Sequence, residues 1–342
     1  MHQATVSAGL ASGLLSFAGA KGIESGRLLL AAGLSPDDLT DHDARLPLEA
    51  YMRLTRAAQK MTGDPALSLH YAETMGMAEL SVVGLIMEAS ATMGEAFLQL
   101  QRYGRLAAET GGSNAEPDFA LAMKNGKLFM EDRRQLPGDF HELREGAFVR
   151  LVCGPRRFLS EPHVLSVYFT HEAPSYRAEY ERIFQCPVHF GAERNAMELH
   201  PEIVGWPVAK YPRYAFAVLT RHADRLLDEL EAGKSWRGKT EKEVVAILHH
   251  GDVSAELVAA RLGFSRQTLF RKLKEENTTF AEVVDALRKR LAQEYLRGQR
   301  TSGYETAYLL GFSDPASFTR AFRRWVGESP TDYRARMRSN EG

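Results

Sequence analysis

Apolar residues recur at helical spacing through most of the chain and alternate with polar ones only in a central stretch. Ile23 and Leu28 to Leu30 open a short helix that Gly33 and Ser35-Pro36 stop and restart. Tyr51, Leu54, Ala58 and Met61 line one face of a predicted helix over 48–61, and after Gly63-Asp64-Pro65 another runs over 67–73. Further helices are predicted at 80–87 and 93–108. The period then changes. Phe119 to Met123, Asn125-Gly126 and Leu128 to Asp132 read as a hairpin, because Asn-Gly supplies the positive φ angles of a two-residue turn. A helix over 140–159 interrupted at Gly154-Pro155, a strand over 164–170, a helix over 176–184 and strands at 188–190 and 196–199 complete a helix-rich α/β domain. A helix over 211–231 follows, with Phe216, Leu219, Ala223, Leu226, Leu227 and Leu230 on one side. That stripe either pairs with a twin in a dimer or closes the domain core. Met75, Met77, Met87 and Met93 are placed in core packing, with an adaptable pocket as the alternative. The opening segment to Leu15 lacks a basic, export-type start and is expected to be a frayed tail.

After Ala232 to Gly238, a Gly/Ser/Lys linker, the pattern becomes repetitive. Gly263-Phe264-Ser265 precedes a short amphipathic segment with Leu269 and Leu273 inward, and Gly311-Phe312-Ser313-Asp314-Pro315 precedes one with Phe318 and Phe322 inward. The glycines are 48 apart and the apolar pairs 49 apart, an internal repeat with one extra residue at the second cap. Each copy follows a short helical segment, at 255–262 and 305–310, which makes two helix-turn-helix units. Between them Phe280, Val283, Val284, Leu287, Leu291 and Tyr295 form the apolar side of a spacer helix, with Arg288, Lys289 and Arg290 largely opposite.

The formal net charge of −1 is uninformative until the chain is divided. Residues 239–342 carry 18 Lys and Arg against 14 Asp and Glu, net +4, and the remainder carries 25 against 30, net −5. A basic module joined to an acidic one fits phosphate contact through the C-terminal part alone. The 11 histidines show no H-E-x-x-H, and Gly233-Lys234-Ser235 lacks the upstream glycine of a phosphate loop, so neither an enzyme nor a metal or cofactor site is expected. Two cysteines, Cys153 and Cys186, read as buried thiols in a reducing cytoplasm, and the absence of an apolar run near twenty residues predicts no membrane span.

The repeat resembles the DNA-binding domain of the AraC/XylS transcriptional regulators over about Ser254 to Arg334. The match rests on Gly263-Phe264-Ser265 with Leu269, Arg271 and Lys274, then on Gly311 to Asp314, Phe318, Arg320-Ala321-Phe322, Gly327, Ser329-Pro330 and Tyr333-Arg334. Gly303 and Thr306 stand where that family usually has aliphatic residues, so the second unit is expected to pack loosely. Residues 25–210, through Ala31-Ala32-Gly33-Leu34, Gly63-Asp64-Pro65 and Phe190 to His200, are similar to the arabinose-binding-type sensor of one subgroup.

The resemblance implies a mainly α protein: a tail at 1–24, an effector-sensing α/β domain at 25–231, a linker at 232–239, and an all-α domain at 240–342 with two helix-turn-helix units joined by a linker helix. It implies base-facing positions at Arg266, Gln267, Phe270 and Arg271 in the first unit and at Ala316, Ser317, Thr319 and Arg320 in the second. Arg271 and Arg320 could instead clamp phosphate or pair with an acid such as Glu275. Lys272, Lys274, Arg323 and Arg324 are the implied phosphate contacts. The partners implied are double-stranded DNA, RNA polymerase, a small-molecule effector not identified by the sequence, and a second copy in a homodimer. The function implied is an effector-responsive activator, with a repressor, or an effector-binding protein with a vestigial DNA module, as alternatives.

Overall fold

The computed structural model describes residues 4–110, 117–138, 140–208, 212–248, 251, 253–297 and 302–339. The chain divides into two compact units, Met1–Leu227 and Asp228–Gly342.

In the first unit β1 (Thr5–Ser7) pairs antiparallel with β2 (Arg45–Pro47) and β3 (Ala108–Glu109), with Val6 opposite both Leu46 and Ala108. The segment expected to be a frayed tail thus starts the fold and continues as α1 (Ala8–Ala20), whose Leu10, Ala11, Leu14, Leu15 and Ala18 join the core. Its physical signal is the lack of a polar face: a helix apolar all round is an interior helix. Gly9 and Gly13 let it lie against Leu80 and Tyr71, and the Tyr71 hydroxyl donates to the Leu10 carbonyl at 2.9 Å. Around it pack α2 (Ser25–Ala32), ended by Gly33 at φ 69°, and α3 (Leu48–Thr62), ended by Gly63 at φ 67°. Next come α4 (Leu67–Thr74), α5 (Val82–Ala89) and α6 (Met93–Ala107), close to their predicted bounds.

A five-stranded sheet of order β4-β5-β8-β6-β7 forms the rest of the unit. Its hairpin, β4 (Phe119–Lys124) and β5 (Lys127–Asp132), turns at Asn125 and Gly126, with φ of 51° and 77° as the two-residue turn requires. β5 pairs antiparallel with β8 (Ala196–Leu199), β8 with β6 (Val164–Tyr168), and β6 runs parallel to β7 (Val188–His189). Against it lie α7 (Glu142–Cys153), stopping just before Pro155, and α8 (Arg177–Phe184). Phe148 of α7, Phe169 beside β6, and Tyr180 and Phe184 of α8 make a buried aromatic cluster.

The expected helix at 211–231 is α9 (Arg213–Ala232); Tyr211 lies outside the described residues. Polar ties hold its middle to earlier parts of the chain: Asp224 accepts from the Tyr103 hydroxyl at 2.6 Å and from Arg102 at 2.8 Å, and His222 meets Asp43 at 3.0 Å. Ala223 is buried, whereas Tyr214 and Val218 are exposed.

The second unit is helical. α10 (Trp236–Ile247) starts inside the segment read as a linker, because the Ser235 hydroxyl caps it and Glu276 accepts the Trp236 and Arg237 amides at 2.6 and 2.9 Å. Two carboxylate oxygens on free helix amides outweigh the weak propensity of Gly238 in the first turn. α11 (Ala255–Arg261) and α12 (Arg266–Glu275) form the first helix-turn-helix, α13 (Phe280–Arg297) the spacer, and α14 (Gly303–Leu309) and α15 (Pro315–Val326) the second; α16 (Pro330–Ser339) closes the unit. Leu269, Leu273, Leu287, Phe318, Phe322 and Tyr333 share one core.

The second unit is not loose at Thr306, as the sequence led us to expect. Thr306 is fully buried, its hydroxyl donates to the Ser302 carbonyl at 2.8 Å, and Ser302 and Glu305 form a capping box. A satisfied hydroxyl occupies an aliphatic position without a stranded polar group.

The two turn glycines differ. Both sit in the left-handed region, at φ 74° for Gly263 and 73° for Gly311. A Cβ at Gly263 would enter open space, whereas at Gly311 it would enter the Leu248 carbonyl. Gly263→Ala should therefore cost about 1–2 kcal/mol, the left-handed penalty alone, and Gly311→Ala distinctly more, because the end of α10 must also shift. Denaturant melts of the two variants check the order.

Candidate DNA interface

Each helix-turn-helix places its second helix by a cap and an apolar underside. Ser265 accepts from the Thr268 amide at 3.2 Å to start α12, and Leu269 and Leu273 are buried beneath it. Arg266, Gln267, Phe270, Arg271 and Lys274 are all exposed, at i, i+1, i+4, i+5 and i+8, which is one continuous helix face. Arg266 pairs with Glu256 at 2.9 Å and lies 4.9 Å above the Phe270 ring; Arg271 is 3.9 Å from Glu275. Such exposed pairs stabilise by well under about 1 kcal/mol, so DNA can take over either guanidinium at little cost.

The second helix is started by Asp314, whose carboxylate accepts from the Ser317 hydroxyl at 2.6 Å and amide at 2.8 Å; those bonds hold its carboxyl below the usual range. Ala316, Arg320, Arg323 and Arg324 are exposed, while Ser317 and Thr319 are half-buried. The Thr319 hydroxyl bonds back to the Pro315 carbonyl at 2.9 Å, and Arg320 donates to the Ser317 hydroxyl at 2.8 Å. The proposed base-facing set is therefore unequal: α12 presents all four of its members, whereas α15 presents Ala316 and Arg320 with Ser317 and Thr319 tied into the helix.

The four phosphate candidates also separate. Lys274 and Arg323 are exposed. Lys272 instead holds its ammonium 3.8 Å from the Trp236 ring and 5.2 Å from Phe264, and Arg324 pairs with Asp285 of α13 at 2.7 Å.

The spacer sets where these faces stand. Eighteen residues make α13 about 27 Å long. Arg288, placed outward by periodicity, turns in: it donates to the Leu310 carbonyl at 3.0 Å and covers the Phe312 ring at 4.9 Å, and burial lowers its pKa. It ties the second turn to the spacer. The sequence reading missed Trp236, Glu276, Asp285 and Arg288. Only Ser235, a residue type that caps helices, signalled any of them.

In the first unit, Met77, Met87 and Met93 border a small cavity of about 50 Å³ with Arg150, Arg157 and Phe158, Met93 being itself buried, and Met75 packs against the core. Cys153 and Cys186, expected to be buried, are free and half-buried; burial raises both thiols, Cys186 to about 11. No helix among the described residues is long and apolar enough to cross a membrane.

Residues 22–208 match the family model described as the arabinose-binding domain of AraC transcription regulator, N-terminal, and residues 258–336 match a helix-turn-helix domain. The chain is 27% identical to the ornithine utilization regulator of Pseudomonas aeruginosa over 95% of this chain and 94% of that protein. It is 24% identical to the regulator VirS of Mycobacterium tuberculosis over 86% of this chain and 85% of that one. The crystal structure of the regulator CdpR from Pseudomonas aeruginosa aligns over 91% of this chain and 96% of its own at 23% identity, with a TM-score of 0.40.

Proposed function

The chain belongs to the AraC family of transcription regulators, and from that membership we propose that it is an effector-responsive activator whose second unit reads two adjacent major-groove segments. It is a DNA-binding regulator and not an enzyme. The observation that carries the finer reading is the pair of capped helices, α12 and α15, each presenting an exposed face with an arginine at its centre and joined by one rigid spacer. A recognition helix fits the major groove, and two on one face of the duplex enter it about 34 Å apart, one helical turn. Arg266 and Arg271 are suited to guanine and Gln267 to adenine, while Arg320 carries most of the second contact. Lys274 and Arg323 grip phosphate.

The first unit receives a small-molecule effector, and the partner of the activated state is RNA polymerase. The similarity to a regulator named for ornithine utilization supports an effector drawn from amino-acid metabolism. The exposed Tyr214 and Val218 of α9 support self-association through that helix.

The phosphate assignment is tested by salt titration of DNA binding. Lys274→Ala and Arg323→Ala should each weaken cognate and scrambled duplexes alike and reduce the slope of log K against log salt by about one. A sequence-dependent loss would make either residue a base reader, and an unchanged slope would remove it from the interface.

A further inference from the structure

A second constellation lies in the first unit. His141 and Glu145 are four residues apart at the start of α7, so their side chains share one helix face. His171 arrives on the segment after β6, where its carbonyl accepts the Gly191 amide at 3.0 Å. Its Nε2 lies 3.0 Å from Glu145 Oε1, and His141 Nε2 lies 3.7 Å from the same oxygen. All three ligand atoms fall within 4.8 Å of one another, and Glu145 is fully buried while both imidazoles are half-buried. Sequence reading gave His171 no partner, because 30 residues separate it from His141.

The hydrogen bonds say what the cluster lacks. His171 Nδ1 is 2.9 Å from the Glu172 carbonyl and donates to it, so in the neutral ring Nε2 aims a lone pair at a carboxylate oxygen, and in the protonated ring it donates to that oxygen. The Tyr180 hydroxyl already donates to that carboxylate, yet Glu145 Oε2 and His171 Nε2 are buried without a hydrogen-bond partner. Lone pairs facing each other in a buried site need a cation between them, either a proton or a metal ion. Histidine ligands to a metal donate their other ring N–H to a carbonyl, as His171 does. A tetrahedral zinc ion with bonds of about 2.0–2.2 Å keeps its ligand atoms about 3.4 Å apart, between the 3.0 and 3.7 Å that separate the two imidazoles from Glu145; the two rings stack with centroids 4.3 Å apart, so they must turn apart to aim both nitrogens at one ion.

We propose that His141, Glu145 and His171 form a binding site for a zinc-class divalent cation in the sensor unit. Three protein ligands leave a fourth position open, and Tyr180, Tyr176 and Glu142 are further polar side chains that interact with the cluster. A water or a donor group of the effector completes the coordination, which makes the metal the anchor for what the sensor detects. Nitrogen and carboxylate donors select zinc, cobalt or nickel over magnesium and calcium.

The test uses the full chain, stripped with a chelator and titrated with cobalt(II) and then zinc alone. One equivalent should bind, with tetrahedral ligand-field bands and no thiolate charge-transfer band, tighter as pH rises because the imidazoles must be deprotonated. His141→Ala and His171→Gln should each weaken binding at least about tenfold, and each should remove the zinc-induced rise in melting temperature. Absence of stoichiometric binding would overturn the proposal and leave a proton shared with Glu145. Thiolate bands, or unchanged affinity in both variants, would overturn it by placing the ion elsewhere. If either variant is unfolded, the cobalt spectrum of the unaltered protein still decides.

Discussion

Phe322→Ala should remove about 3–5 kcal/mol from the C-terminal unit and with it specific DNA binding, although Phe322 is not itself among the proposed DNA-contacting positions. The ring is fully buried at the centre of α15, 5.7 Å from Phe318 and 5.4 Å edge-on from Tyr333 of α16. Truncation leaves a cavity where three elements of one small core meet, and a domain's whole stability is only about 5–15 kcal/mol. The expected record is a denaturant curve of the full chain in which one transition moves to lower denaturant and the transition of the first unit stays. Wild-type affinity in the variant would mean that α15 needs no docking on this core to act.

Arg271→Ala should cost about 1–3 kcal/mol on the cognate site, about 5- to 150-fold in affinity, and relax the preference at one base pair. The folded protein loses little, because Arg271 is exposed and the acid beside it, Glu275, is 3.9 Å away. Competition binding against single-base variants of the site reads the effect directly. Equal losses on cognate and scrambled duplexes would make Arg271 a phosphate clamp.

The parts of the fold written in short-range chemistry were legible from the residues. Asn125-Gly126 defined its hairpin through backbone freedom, Ser265 started its helix through a capping hydroxyl, and the recurrence of Gly-Phe-Ser marked both helix-turn-helix units. Interactions that depend on distant partners were not. α1 has no polar face and so shows no amphipathic period, and α10 starts where it does because Glu276, forty residues on, caps it. Arg288 follows its tertiary acceptor, the Leu310 carbonyl, rather than its periodicity. The same holds for function. The exposed run on α12 follows from helical spacing alone, but Lys272 over Trp236 and Arg324 on Asp285 are chosen by neighbours that spacing does not reveal. The His141, Glu145 and His171 cluster is assembled entirely by the chain's return after β6.

The central claim is that one chain reads two major-groove segments at once. Selection of duplexes from a random pool by the full protein, at stated salt, tests it most directly. The account predicts an enriched motif of two short elements whose centres lie about one helical turn, 10–10.5 base pairs, apart, with the stronger element assigned to α12 by its loss in Arg271→Ala. Enrichment of a single element, or of none, would contradict it.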